Sequence, residues 1–154
     1  MSMLLKYQEQ FTRLNRWYER FKVINDGKIH DEPSDFYQDN VYAFFMNCYH
    51  LKDWIKNDPS VASVVDNIEA YINNNPALSL CADICNGLKY LRLDSARSGE
   101  SPKFGTRLYK VELGTKPTTI TIKYTINTSS GPIDAFELAT KCMKAWKNFI
   151  VSIT

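Results

Sequence analysis

The sequence predicts a mainly α-helical single domain spanning residues 1–154, an up-and-down bundle of about five helices with one β-hairpin at about residues 106–127, inserted before the last helix. Three observations predict it. Apolar residues recur every three or four positions from residue 4 to 92 and again from 132 to 153. The period changes to two only between 107 and 126. A chain of 154 residues with 44% apolar content can also build one sizeable core without metals or disulfide staples.

The first helix runs from Leu4 to Ile24, with Leu4, Tyr7, Phe11, Leu14, Tyr18 and Phe21 stepping by three and four, and ends at Asn25 to Gly27, residue types that tolerate a left-handed turn. "KIHDEPSD" is expected to be a loop, and Ser34 or Asp35 starts the second helix. That helix carries Tyr37, Val41, Phe44, Cys48, Leu51 and Ile55 on one stripe with Phe45, Tyr49 and Trp54 alongside, so aromatic a surface that it is expected to lie centrally. The third and fourth helices begin alike: Asp58 and Asn75 each offer a capping side chain before a proline at the first helical position, where the missing N–H costs nothing. The third then uses Val61, Val64, Val65, Ile68 and Ile72, and the fourth runs from Pro76 to about Arg92.

Ser, Gly, Pro and Lys dominate from Arg97 to Thr106, which predicts a mobile loop. "RLYKVEL" and "TTITIKYTI" then alternate in period two across the turn residues "GTKP", which predicts the hairpin. The last helix is expected to start at Pro132, with Phe136, Ala139, Cys142, Met143, Trp146, Phe149, Ile150 and Ile153 as its seam.

Charge is unevenly placed. Residues 31–75 hold two lysines and eight acidic residues, a net of −6, against +8 in the remainder, so an acidic and a basic flank are expected. No apolar run approaches the ~18 residues of a membrane span, and "MSMLLKYQEQ" lacks the apolar stretch of a signal peptide, which predicts a cytoplasmic protein with no membrane association. The four cysteines fall among apolar neighbours and read as reduced core residues.

Four constellations carry chemistry. Asn47, His50 and Asp53 share a face of the second helix, where a histidine oriented by a carboxylate can act as a general base; such residues are also ordinary at a helix border. Asp83, Asn86 and Tyr90, with Lys89 beside them, form a strip on the fourth helix that either lines a site or is a solvated edge. If the two helices are neighbours, His50 and Asn86 can open into one crevice. Cys81 and Cys85, with Cys48 or His50, are the most zinc-like set, but their spacing is a poor match to a zinc knuckle, and neither a metal nor a cofactor is expected. Arg13, Arg16 and Arg20 on the first helix and Lys141, Lys144 and Lys147 on the last, with Lys89, Arg92, Arg97, Lys103 and Arg107, can track phosphates, or can be the wet faces of amphipathic helices. There is no glycine-rich phosphate loop, GxSxG, HExxH or paired CxxC.

"NCYHLKDWI", "CNGLKYL" and the closing "AWKNFI" give a layout that resembles the HEPN superfamily, and more narrowly a group of small bacterial and phage proteins with a Lys-His pair where this chain has Lys89-Tyr90. The resemblance implies an all-helical, commonly dimeric bundle, in many members a metal-independent ribonuclease of toxin-antitoxin, CRISPR or abortive-infection systems. Its signature is an arginine, often followed directly by Asn, and a histidine several residues on. With Asn86 as anchor, Cys85 stands at the arginine position and Tyr90 at the histidine position. A thiol is no fixed cation for a phosphate, and a phenol is a poor base at neutral pH.

The expected function is therefore a non-catalytic HEPN-like module that binds a macromolecular partner, RNA or a nucleotide on its basic face or else a protein, in bacterial defence or phage counter-defence. Asn47, Asp53, Asp83, Arg92 and Arg97 are its candidate ligand-binding residues. The alternatives are a divergent metal-independent endoribonuclease using His50, Asn86, Lys89 and Tyr90, and a homodimeric interaction module with no nucleic-acid role.

Overall fold

The computed structural model describes residues 6–90, 97, 102–112 and 119–154, the side chains of 62–66, 88–90, 106 and 109–112 excepted. The helices are α1 (Tyr7–Asp26), α2 (Ser34–Lys56), α3 (Val65–Asn74), α4 (Pro76–Tyr90) and α5 (Ala135–Ile153). The strands are β1 (Lys28–Ile29), β2 (Lys103–Glu112), β3 (Thr119–Thr128) and β4 (Gly131–Asp134). The chain is mainly helical, as expected. No helix among the described residues is long and apolar enough to cross a membrane.

α2 is the centre. Tyr37, Val41, Phe44, Phe45, Cys48, Leu51 and Ile55 are completely enclosed. α1 covers one side with Tyr7, Leu14, Phe21 and Ile24, α4 and α5 cover others, and the Trp146 indole of α5 donates to the Cys48 carbonyl at 3.1 Å. All of these side chains belong to one hydrophobic core.

Among the described residues, the expected single hairpin is a four-stranded antiparallel sheet. β2 and β3 pair along their length, and the other edge of β3 takes β1 at its start, where Lys28 faces Ile120, and β4 at its end, where Pro132 faces Asn127. A lone hairpin would leave that edge with open backbone groups, and the two short strands pair its two ends, Thr119–Ile120 and Thr125–Thr128. β3 buries Ile120, Ile122, Tyr124 and Ile126 on alternate positions, the period-two pattern of its sequence.

Three boundaries differ from the expectation for local reasons. "KIHDEPSD" is not all loop: Gly27 closes α1 at φ +119°, and the chain turns directly into β1. Pro132 does not start the last helix but lies in β4, and Asp134 caps α5 by accepting the Glu137 N–H at 2.9 Å. That Asp-Ala-Phe-Glu run is a cap followed by an acidic residue three places on, a start signal that Pro132 masked. β2 begins at Lys103, inside the stretch read as a loop; residues 98–101, the "GTKP" turn and the end of the fourth helix at Leu91 and Arg92 lie outside the described residues.

At "DPS" the chain forms a 3-10 turn, Pro59–Val64, before α3 starts at Val65. Asp58, 3% exposed, accepts the Ser60 N–H at 2.9 Å and, with its other oxygen, the Tyr7 N–H at 2.9 Å. Lys6 gives α1 no side-chain cap, so a carboxylate fifty-one residues away satisfies its first donor. By contrast Asn75 caps α4 locally, accepting from the Leu78 N–H at 3.0 Å.

Asp58→Ala is expected to cost about 1–3 kcal/mol, because it strands the buried Tyr7 N–H and also removes the bond to the Ser60 N–H, whereas Asp134→Ala, a single exposed cap, costs about 1 kcal/mol. Urea midpoints of the two variants measure this, and equal losses would show that the bond to Tyr7 contributes nothing.

Candidate functional site

The largest polar assembly among the described side chains lies where α2, α3 and α4 meet Arg97. α2 carries Tyr49, Lys52, Asp53 and Lys56 within two turns on one border of its apolar stripe, and α3 carries Glu69 and Asn73 one turn apart. Arg97 donates through Nη1 to Glu69 Oε2 at 2.6 Å and to Asn73 Oδ1 at 3.0 Å, and through Nη2 to the Tyr49 hydroxyl at 3.3 Å. Its backbone N–H donates to Asp83 Oδ1 at 2.8 Å. Lys52, 8% exposed, donates to the Tyr49 hydroxyl at 2.9 Å, sits 4.3 Å from the centre of that ring, and approaches Glu69 at 3.5 Å. Lys56 is hydrogen-bonded to the same carboxylate.

Burial pushes the Glu69 carboxyl up, but the hydrogen bonds from Lys56 and Arg97 and the charge of Lys52 outweigh it and hold the group down at about 2. A carboxylate so placed stays ionised at neutral pH and can neither donate a proton nor compete well for one. The Arg97 guanidinium is raised in turn: burial lowers it, and Glu69 and Tyr49 more than compensate. The three cations and the carboxylates of Asp53, Glu69 and Asp83 thus answer one another, and the assembly acts as a clasp between helices.

Of the residues singled out in the sequence, Asp83 and Arg97 meet in this cluster, and Asp53 lies at its edge, 4.0 Å from Lys52. Asp83 is 1% exposed rather than a solvated border residue. Asn47 is fixed elsewhere: its carbonyl and its amide oxygen accept from the buried Gln10 side chain at 3.0 and 3.2 Å, clipping α1 to α2. His50 is exposed and Asn86 half-buried, and among the described residues no hydrogen bond or ion pair joins them. Lys89 and Tyr90 end α4, but their side chains, like Arg92 as a whole, lie outside the described residues.

Sequence reasoning missed Tyr49, Lys52, Lys56, Glu69 and Asn73. A signal was present: the two lysines of the acidic 31–75 stretch stand four apart on α2, one turn and two turns of helix after Tyr49. What no spacing discloses is that Glu69 and Arg97 fold back onto them.

Two other features are relevant. A groove of about 540 Å³ between α1 and α2 is lined by Trp17, Val23, Phe36 and Tyr37 with Arg20 and Lys28 at its sides. The residues that could hold a metal are not Cys81 with Cys85: the sulfurs of Cys48, Cys81 and Cys142 lie within 4.8 Å of one another, and Cys85 is not among them. No protein-family model matches the chain, and no curated protein or solved structure matches it either.

Because the folded-state value of Glu69 is depressed, its contribution is complete above its ordinary value of 4.5 and is lost as pH falls toward about 2. With the side chain 35% exposed and therefore partly screened, that contribution is about 1–2 kcal/mol. The urea-midpoint gap between the wild type and Glu69→Gln is expected to narrow as pH is lowered through this window; a gap independent of pH would show that charge is not what holds the clasp.

Proposed function

We propose that the protein is a non-catalytic helical module that binds RNA through its exposed basic helix faces. The observation that carries this reading is a contrast between two sets of cations. Lys52, Lys56 and Arg97 are neutralised inside the clasp. Lys141, Lys144 and Lys147 stand exposed on the outer face of α5, opposite its buried Cys142, Met143, Ala145 and Trp146, and form no ion pair among the described residues.

Six residues of helix place these three charges along about 9 Å, an arrangement suited to following a phosphate backbone. On α1, Arg16 and Arg20 are exposed as well, with Arg20 stacked 4.5 Å from the centre of the Trp17 ring, whereas Arg13 is turned toward Glu9 and the Trp54 ring. Trp17 and the exposed Phe36 supply faces on which a base can stack. The non-catalytic part of the reading is supported by the commitment of Glu69, Asp83 and Arg97 to one another, and by the burial of Cys85 where the HEPN resemblance puts a phosphate-holding arginine.

The test is fluorescence anisotropy with a single-stranded RNA oligonucleotide across a salt series. Binding is expected to weaken with a slope of about −0.7 per neutralised phosphate, and the triple variant K141E/K144E/K147E is expected to lose more than tenfold in affinity and to flatten the slope by about 2. Absent or salt-independent binding would overturn the reading. Cleavage of the RNA that persists in EDTA and disappears with His50→Ala would replace it with the metal-independent ribonuclease.

A further inference from the structure

Three of the chain's four cysteines, far apart in sequence, converge on one point in the core. Cys48 comes from α2, Cys81 from α4 and Cys142 from α5. They are at most 1% exposed and form no disulfide, and their three Sγ atoms lie within 4.8 Å of one another. Cysteine often serves a core simply as a small hydrophobe. Filling a helix crossing requires a certain volume at each position, however, and does not require that all three sulfurs turn toward one another. Cys85 marks the difference: it is buried one turn after Cys81 on the same helix, yet it stands outside the group.

We propose that Cys48, Cys81 and Cys142 form a buried trigonal site for a soft monovalent cation, Cu(I). Thiolate sulfur selects soft ions. Three thiolates around one ion at a metal–sulfur distance of about 2.3 Å stand about 4 Å apart, so the sulfurs need to close by less than about 1 Å from the observed 4.8 Å limit. Among the described residues no His, Asp or Glu joins the three sulfurs. Structural zinc is almost always four-coordinate and would lack a ligand, whereas trigonal coordination suits Cu(I).

Each metal–sulfur bond replaces an S–H bond whose proton passes to solvent, and no electron is exchanged, because the ion enters as Cu(I). Two of the thiols have other partners in the metal-free chain, Cys81 donating to the Phe45 carbonyl at 3.4 Å and Cys142 to the Ala77 carbonyl at 3.3 Å, and both bonds are given up when the ion binds. The three thiolates and one monovalent ion leave two negative charges in the core, so the metal–sulfur bonds themselves have to outweigh the cost of burying them. A bound ion would tie three helices at the middle of the core.

Because the triad is enclosed, the ion has to be present while the chain folds. The full chain is expressed in copper-supplemented and, separately, zinc-supplemented medium, purified without oxygen and desalted, and its metal content is measured. One copper per chain is expected, with a melting temperature about 5 °C or more above that of the metal-free chain. X-ray absorption at the copper edge is expected to give three sulfur scatterers and no nitrogen or oxygen. Cys85→Ala should retain the copper and Cys48→Ala should lose it.

A copper-free wild-type chain, equal retention by Cys48→Ala, or nitrogen or oxygen ligands would overturn the proposal. Zinc retained in preference to copper would overturn the choice of ion. The absorption measurement on the wild type keeps the test decisive if Cys48→Ala does not fold.

Discussion

Seven side chains of α2, from Tyr37 to Ile55, are withdrawn completely from water, and a helix enclosed over so much of its circumference needs neighbours on more than one side. The remaining elements can be understood as answers to that demand. α1 lies along one flank with Phe21 in edge contact with Phe44 and Phe45; α4 and α5 bring Cys81 and Trp146 against its middle; and Phe104 of β2 packs on Phe45. Burying a large apolar side chain stabilises by about 1.5–3 kcal/mol, so this one helix supplies much of the gain that offsets the ordering of the chain.

Enclosure has a polar consequence. A buried helix still has borders, and on α2 these carry Asn47, Tyr49 and Lys52, groups that cannot be left without partners in a low-dielectric setting. Each border is resolved differently. On the α1 side a neutral amide pair, Gln10 with Asn47, provides the contact. On the α3 side charges do so, with Glu69 drawing in Lys52, Lys56 and Arg97 together. Lys52 is the member most withdrawn from water, and without Glu69 its charge would keep, among the described residues, only Asp53 at 4.0 Å, so the clasp defines how α2, α3 and α4 sit even where its net gain is small.

The helices, their order and the central place of α2 were legible because amphipathic period and aromatic content are local properties of the chain. The sheet was legible only at β2 and β3, where ten-residue strands alternate. β1 has two residues and no pattern of its own, and it exists because β3 offers an unpaired edge beside Gly27. The site was less legible for the same reason. Asp83 and Arg97 drew notice as chemistry-bearing residues, but their partner Glu69 looks like any charge on a helix surface until α3 is placed against α2. The thiols are not legible from spacing, because an i, i+4 interval pairs Cys81 with Cys85, while packing groups Cys81 with residues of two other helices.

The burial of α4 also bears on what chemistry this helix can carry. At the position where the HEPN resemblance places an arginine, Cys85 is 5% exposed, and Ala82, Asp83 and Ile84 before it are buried as well, so this part of the helix has little solvated face. A guanidinium there would lose its hydration, and the nearby carboxylate of Asp83 already accepts from the Arg97 backbone. The desolvation of an ion in such a place costs several kcal/mol unless a dedicated partner is supplied. Substituting arginine at one position would therefore not create a phosphate-binding centre, because the surface on which that centre would have to open is committed to the core. Binding, where it occurs, is left to the faces that the core does not use, and the outer face of α5 is one on which exposed lysines remain unpaired among the described residues.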